Sequence, residues 1–202
     1  KAFEYLGVGQ FNLKPKLIAL IKNEIKNAEK GLEANIFLKM NSIHDEEMIG
    51  LLYEASQKGV KVQMVIRGIC SLVPGIEGIS ENIEAISIVD RYLEHARIFR
   101  FHNNGDEKMY LSSADWMVRN LHRRIETMFP ILDPDIKMII NDLMNIQLYD
   151  NVKARYIHVT KNNEYRTETT DLAVRSQVET YYYIKRVIDA MDSPKDKVFN
   201  LR

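Results

Sequence analysis

A chain of 202 residues is long enough for one α/β domain with a sizeable core, and 46% hydrophobic against 28% charged residues is ordinary globular composition. Lys+Arg and Asp+Glu balance at 28 each, which argues against a global basic field for nucleic acid or an anionic membrane. Cys70 is the only cysteine, so no internal disulfide forms, and no apolar run approaches the roughly 20 residues that span a bilayer. No signal peptide is visible. The expected location is therefore the cytoplasm, with peripheral attachment to a membrane as the furthest departure from it. The chain opens at Lys1 without a methionine, as a piece of a longer protein or a processed terminus would.

In chain order, residues 15–30 read as an amphipathic helix. Leu17, Ile21, Ile25 and Ala28 share one face, Pro15 sits near the start, and Gly31 ends it. Residues 32–40 read as a strand. Asp45 is the expected N-cap of a second helix that stops at Gly59. A β-rich run follows at 60–66. Helix, strand, helix, strand implies parallel strands with covering helices. Residues 67–80 hold three glycines and a proline and form a loop at a strand end, where open α/β sheets place ligands.

A further strand is expected at 83–89. A hairpin joins 96–101 to 108–111 through Asn103-Asn104-Gly105-Asp106. Residues 122–132 read as a strand. Asp133 and Pro134 start a helix whose apolar face is Ile136, Ile139 or Ile140, and Leu143. A short strand is expected at 153–158 and a polar, mobile stretch at 162–170. Residues 171–191 read as a closing helix with Val174, Val178, Tyr181 and Ile188 inward.

The segment 91–126 concentrates the residues that carry chemistry. His95 heads an apolar strand, and an imidazole serves as nucleophile, acid, base or donor to phosphate near neutral pH. The plain alternative is a strand-edge histidine satisfied by a backbone carbonyl. Arg97 lies two residues on, so strand alternation puts its cation on the same face. Ser112, Ser113 and Asp115 follow the hairpin, where a turn exposes hydroxyls and N–H groups to phosphoryl oxygens. They equally serve to cap that turn, Asp115 above all. Glu126 stands among apolar residues and needs a partner when buried, either a histidine or Arg123 or Arg124. Outside this segment, Arg67 ends an apolar strand beside Gly68, which permits close backbone approach. A guanidinium fork there matches phosphate; the plain alternative is a surface arginine at a strand end. No histidine pair has metal-ligand spacing, so no metal site is expected in this chain.

Three runs, LYEASQKGVKVQMVIRGICSLVPGI from Leu52, SENIEAISIVDRYLEHARIFRF from Ser80 and LSSADWMVRNLHRRIE from Leu111, closely resemble the polyphosphate kinase family. The resemblance runs from about Phe11 to about Tyr165, and more loosely beyond, and is to the last of that enzyme's domains. It implies a phospholipase D-like half. The superfamily pattern His-x-Lys, small residues, Asn and acid reads here as His95-Ala96-Arg97, Ser112-Ser113, Asn120 and Glu126, with arginine in place of lysine. The implied fold is α/β, a mixed sheet flanked by helices on both faces. A phospholipase D-like domain is expected over 1–165 and a C-terminal helical tail over 166–202.

The resemblance also implies the chemistry: reversible transfer of the ATP γ-phosphate to inorganic polyphosphate through a phosphohistidine in the preceding domain. Arg67 and His95 match positions that contact ATP phosphates, with His95 as acid or base. Arg97, Ser112 and Ser113 are expected to assist phosphate binding, and Glu126 to support them. Mg²⁺ is expected in the preceding domain, not in this chain. Implied partners are ATP or ADP, polyphosphate, the preceding domain and further copies in a homo-oligomer, without nucleic acid. Asp90 departs from the family's usual glycine; an acid there either weakens phosphate binding slightly or points away into solvent. Two alternatives stand beside this reading: a dimeric phospholipase D-like phosphodiesterase, and a non-catalytic polyphosphate- or nucleotide-binding module.

Overall fold

A computed structural model describes residue 3, residues 5–167 and residues 172–192. Eight strands form one sheet: β1 (Gly7–Val8), β2 (Asn35–Met40), β3 (Lys61–Ile66), β4 (Ile83–Ile88), β5 (Ile98–Phe101), β6 (Lys108–Ser112), β7 (Thr127–Ile131) and β8 (Ala154–Ile157). The helices are α1 (Leu13–Glu29), α2 (Glu46–Gln57), α3 (Pro134–Leu148) and α4 (Ser176–Asp192). Strand order is β1-β7-β6-β5-β2-β3-β4-β8. The β2-β3-β4 core is parallel and every other pairing is antiparallel.

Alternation along the central strands builds two cores. Ile36, Leu38 and Met40 of β2 join Leu17, Ile21, Leu52 and Trp116 under α1 and α2. Phe37 faces the other way, with Val65, Ile88, Ile98 and the α3 residues Ile140 and Met144. The sheet is thus sandwiched between helices, the α/β arrangement that the sequence implies.

Local signals set most boundaries. Asp45 accepts from the Met48 amide at 3.1 Å and Asp133 from those of Asp135 and Ile136, so both cap their helices. Asn103, Asn104 and Gly105 all take positive φ in the hairpin turn.

Several expectations need correction. Residues 119–123 form a π-helical turn, and β7 begins only at Thr127. The short β1, which pairs with β7, has no apolar alternation to announce it. Ile140 is buried as expected, but Ile136 lies exposed and Met144 is the second buried residue of α3. Val178, Tyr181 and Ile188 of α4 are exposed rather than inward. The described part of the polar stretch is hydrogen-bonded: Asn163 N donates to Tyr156 O at 2.8 Å and Tyr156 N to Glu164 O at 2.9 Å. Residues 168–171, including the expected start of the last helix, lie outside the described residues.

The topology fixes where chemistry can sit. Strands β2, β3 and β4 all end at the same edge. The antiparallel β5 and β7 begin there and β6 ends there. Six strands therefore deliver the loops at 41–45, 67–80, 89–97 and 112–126 to one end of the sheet.

Candidate active site

Five of those side chains form one continuous relay. Arg67 donates through Nε to Asn41 Oδ1 at 2.7 Å. Asn41 donates to Asp115 through its backbone N at 2.8 Å and through Nδ2 at 3.2 Å. Asp115 accepts Arg97 Nε and Nη2, each at 3.2 Å. Arg97 Nη1 then donates to the His95 carbonyl at 2.9 Å and lies 3.2 and 3.3 Å from the two ring nitrogens.

Each member has a local cause. Gly68 lets β3 turn against the end of β2. A Cβ there would meet Ser42 Oγ at 2.8 Å and Asn41 O at 3.0 Å. Gly68 N donates to Asn41 O at 2.8 Å, which brings Arg67 to Asn41. The Ser-Ala-Asp-Trp turn is stitched to the same loop, with Trp116 N bonded to Ser42 O and the amides of His44 and Asp45 to Trp116 O. Trp116 is fully buried against Phe99, ring centroids 5.4 Å apart.

Asp115 is therefore not a local turn cap, the role that the sequence suggested most. It is a buried carboxylate shared between loops. Burial alone would raise its pKa, but hydrogen bonds from Arg97 and Asn41 overcome that and hold it below the ordinary aspartate value. Arg97 shares a face with His95, yet two of its nitrogens are committed to Asp115. Arg67 differs. Beyond the Nε bond, its terminal nitrogens take no hydrogen-bond partner among the described residues.

The two serines spend their hydroxyls inside the protein. Ser112 Oγ donates to Thr127 O at 2.9 Å and accepts from Ala114 N at 3.0 Å. Ser113 Oγ donates to Glu126 and accepts from Thr127 N at 3.1 Å. Buried Glu126 also accepts Asn120 Nδ2 at 2.6 Å. Its partners are thus a hydroxyl and an amide, not Arg123, Arg124 or a histidine. His122 bonds elsewhere, 3.1 Å from Asp45 Oδ2 and 3.0 Å from Lys14 Nζ. Asp90 does not reach toward the relay: Arg175 grips it through Nε at 2.7 Å and Nη2 at 2.6 Å. Arg175 holds that carboxyl below the ordinary range.

Sequence reasoning passed over Asn41, Lys39 and Glu94. Lys39 is buried and pairs with Glu94 Oε2 at 2.7 Å. A lysine inside the apolar strand IFLKM was the available signal, since a buried charge requires a partner. Among the described residues no group of three His, Cys, Asp or Glu side chains is arranged to hold a metal ion. No helix among the described residues is long and apolar enough to cross a membrane.

The family profile described as polyphosphate kinase C-terminal domain 2 matches residues 6–177. The chain belongs to the polyphosphate kinase family. It is 49% identical over 185 residues to a polyphosphate kinase of Vibrio vulnificus, covering 92% of this chain and 26% of that protein. The Escherichia coli K12 polyphosphate kinase is 49% identical over 183 residues, covering 91% and 27%. The chain thus spans about a quarter of the length of these polyphosphate kinases. The crystal structure of polyphosphate kinase from Porphyromonas gingivalis superposes with TM-score 0.91 at 43% identity, over 94% of this chain and 29% of that one. Nuc, a phospholipase D family member from Salmonella typhimurium, superposes with TM-score 0.52 at 13% identity, over 76% and 97%, and shows the shared fold alone. The polyphosphate kinase C-terminal domain here is a phospholipase D-like α/β fold.

Proposed function

We propose that this chain supplies one half of a split phosphotransferase site, in which the ATP γ-phosphate is transferred reversibly to inorganic polyphosphate. The observation that carries this reading is the relay from Arg67 to His95, which ends in an arginine whose terminal nitrogens take no hydrogen-bond partner among the described residues and in an exposed imidazole. Such a pair suits an anion that both groups contact. Phosphoryl transfer depends mainly on positioning and charge neutralisation, and a rigid relay provides the positioning.

In this reading the reaction has two steps. The bond between the β–γ bridging oxygen and the γ-phosphorus of ATP breaks as a histidine nitrogen in the preceding domain bonds to that phosphorus. The N–P bond then breaks as a terminal oxygen of polyphosphate bonds to it. Arg67 neutralises phosphate charge throughout. His95 donates a hydrogen bond, or a proton, at the leaving or entering oxygen. Arg97 and Asp115 hold His95, and Ser113, Asn120 and Glu126 brace the loop beneath. Mg²⁺ enters with the preceding domain, and the 202-residue chain by itself does not turn over.

The test is ATP-dependent polyphosphate synthesis by a full-length enzyme carrying His95→Ala. Loss of synthesis with the fold retained supports the assignment; wild-type turnover removes His95 from the reaction. Hydrolysis of a chromogenic phosphodiester by the unaltered chain would favour the phosphodiesterase alternative instead.

A further inference from the structure

We infer that Glu94 and Gln177 are positioning residues for His95: the first turn of α4 holds the 89–97 loop so that the imidazole projects from the sheet end. The inference rests on the reading that His95 meets phosphate, and it assigns α4 a part in the reaction.

The loop between β4 and β5 has little core of its own. Val89, Tyr92 and Leu93 are 69%, 66% and 71% exposed. It is held instead at every second residue, 90, 92 and 94. Arg175 grips Asp90 through two nitrogens. Tyr92 exchanges two bonds with one side chain: its N donates to Gln177 Oε1 at 2.8 Å, and its O accepts Gln177 Nε2 at 2.8 Å. The second hydrogen of that amide reaches Glu94 Oε1 at 3.0 Å. Glu94 Oε2 accepts buried Lys39 Nζ at 2.7 Å and Gln147 Nε2 at 3.1 Å. Arg91, Leu93 and His95, which lie between and beside these anchors, are exposed.

Gln177 thereby uses its carbonyl and both amide hydrogens on this one loop. The start of α4 is itself fixed, because buried Asp150 accepts Ser176 N at 2.8 Å and Ser176 Oγ at 2.6 Å. Glu94 is the residue next to His95, so its three-way anchorage to Gln177, Lys39 and Gln147 sets where the imidazole starts. A displacement of about 1 Å at a reacting group can cost about a hundredfold in rate.

The test uses the full-length enzyme with Gln177→Ala, and with Gln177→Met as a second variant that keeps bulk and helix propensity but offers no amide. Neither change strands a buried charge, since Glu94 keeps Lys39. Turnover, KM for ATP and amide hydrogen exchange over 91–96 are measured beside a His95→Ala control. The expected result is a fall in kcat of about tenfold to a hundredfold with KM nearly unchanged. Exchange at 91–96 should rise while β2 and β3 stay protected. If His95→Ala is inactive but both Gln177 variants keep wild-type kcat, the positioning inference is overturned and the phosphate reading survives. If His95→Ala itself retains full turnover, the phosphate reading fails, and the inference with it.

Discussion

Asp115 binds Arg97 through two nitrogens at 3.2 Å, and this one pairing separates the two arginines of the site. Arg97 is occupied by a buried carboxylate. Arg67 has no hydrogen-bond partner for its terminal nitrogens among the described residues. Arg67 is therefore the arginine proposed to meet phosphate, and Arg97 the one that holds His95.

Replacing Arg67 should weaken phosphate binding directly. Charge-assisted hydrogen bonds contribute about 1.5–3 kcal/mol each, so Arg67→Ala should cost about tenfold to a hundredfold in nucleotide affinity in the full-length enzyme. Arg67→Lys should not restore it, because an ammonium cannot reproduce the fork and the Nε bond to Asn41 together. Titration calorimetry with ADP decides this, and unchanged affinity in Arg67→Ala contradicts the assignment.

Asp115→Ala should act on stability first. It strips Arg97 and Asn41 of their shared acceptor and leaves a largely buried guanidinium unpaired, a class of change that costs about 3–5 kcal/mol. Denaturant unfolding should show a lower midpoint with an unchanged slope. A loss below about 0.5 kcal/mol, the range of ordinary surface substitutions, would mean that the relay is not structural.

Most of this architecture was legible in the sequence because its signals are local. Asp45 and Asp133 are caps, Gly59 is a stop, and 35–40 and 61–66 are the near-continuous apolar runs of strands covered on both faces. The relay was half legible. His95, Arg97 and Arg67 stood out as charged groups at strand ends. Asn41 and the true role of Asp115 did not, because their partners lie 74 positions apart in the chain and only strand order brings them together. The exposed face of α4 was misread for a related reason: its helical period is real, but periodicity does not say how much of an apolar stripe a neighbour covers.

Acid should unfold the protein over a defined window. Burial would raise the carboxyls of Asp45, Asp115 and Asp150, but their hydrogen bonds outweigh it and hold all three below the ordinary value of 3.8. The folded state thus binds fewer protons than the unfolded one as these groups titrate. Their contribution is complete above the unfolded value and is lost as pH falls through the lower folded values. The melting temperature should hold from pH 7 to about 5 and drop steeply from about 4 to 2, with a shallower drop in Asp115→Asn. A flat profile down to pH 2 would contradict the assignment of these bonds.

Cys70 should be inert in the native state. Burial raises its thiol pKa to about 11, so about a thousandth of it is thiolate at pH 8. Iodoacetamide should leave it unmodified for hours in buffer and alkylate it promptly in denaturant. Equal rates in both would show that the loop at 67–80 opens readily.

The central claim is that this chain holds one half of a split site. Its most direct test is ATP-dependent polyphosphate synthesis by the 202-residue chain alone, and by the chain mixed with the remaining portion of the enzyme. The account predicts no synthesis alone and synthesis in the mixture, abolished there by Arg67→Ala or His95→Ala. Synthesis by the chain alone would contradict it, because the phosphorylated nucleophile would then have to lie among these residues, with His95 the first to examine.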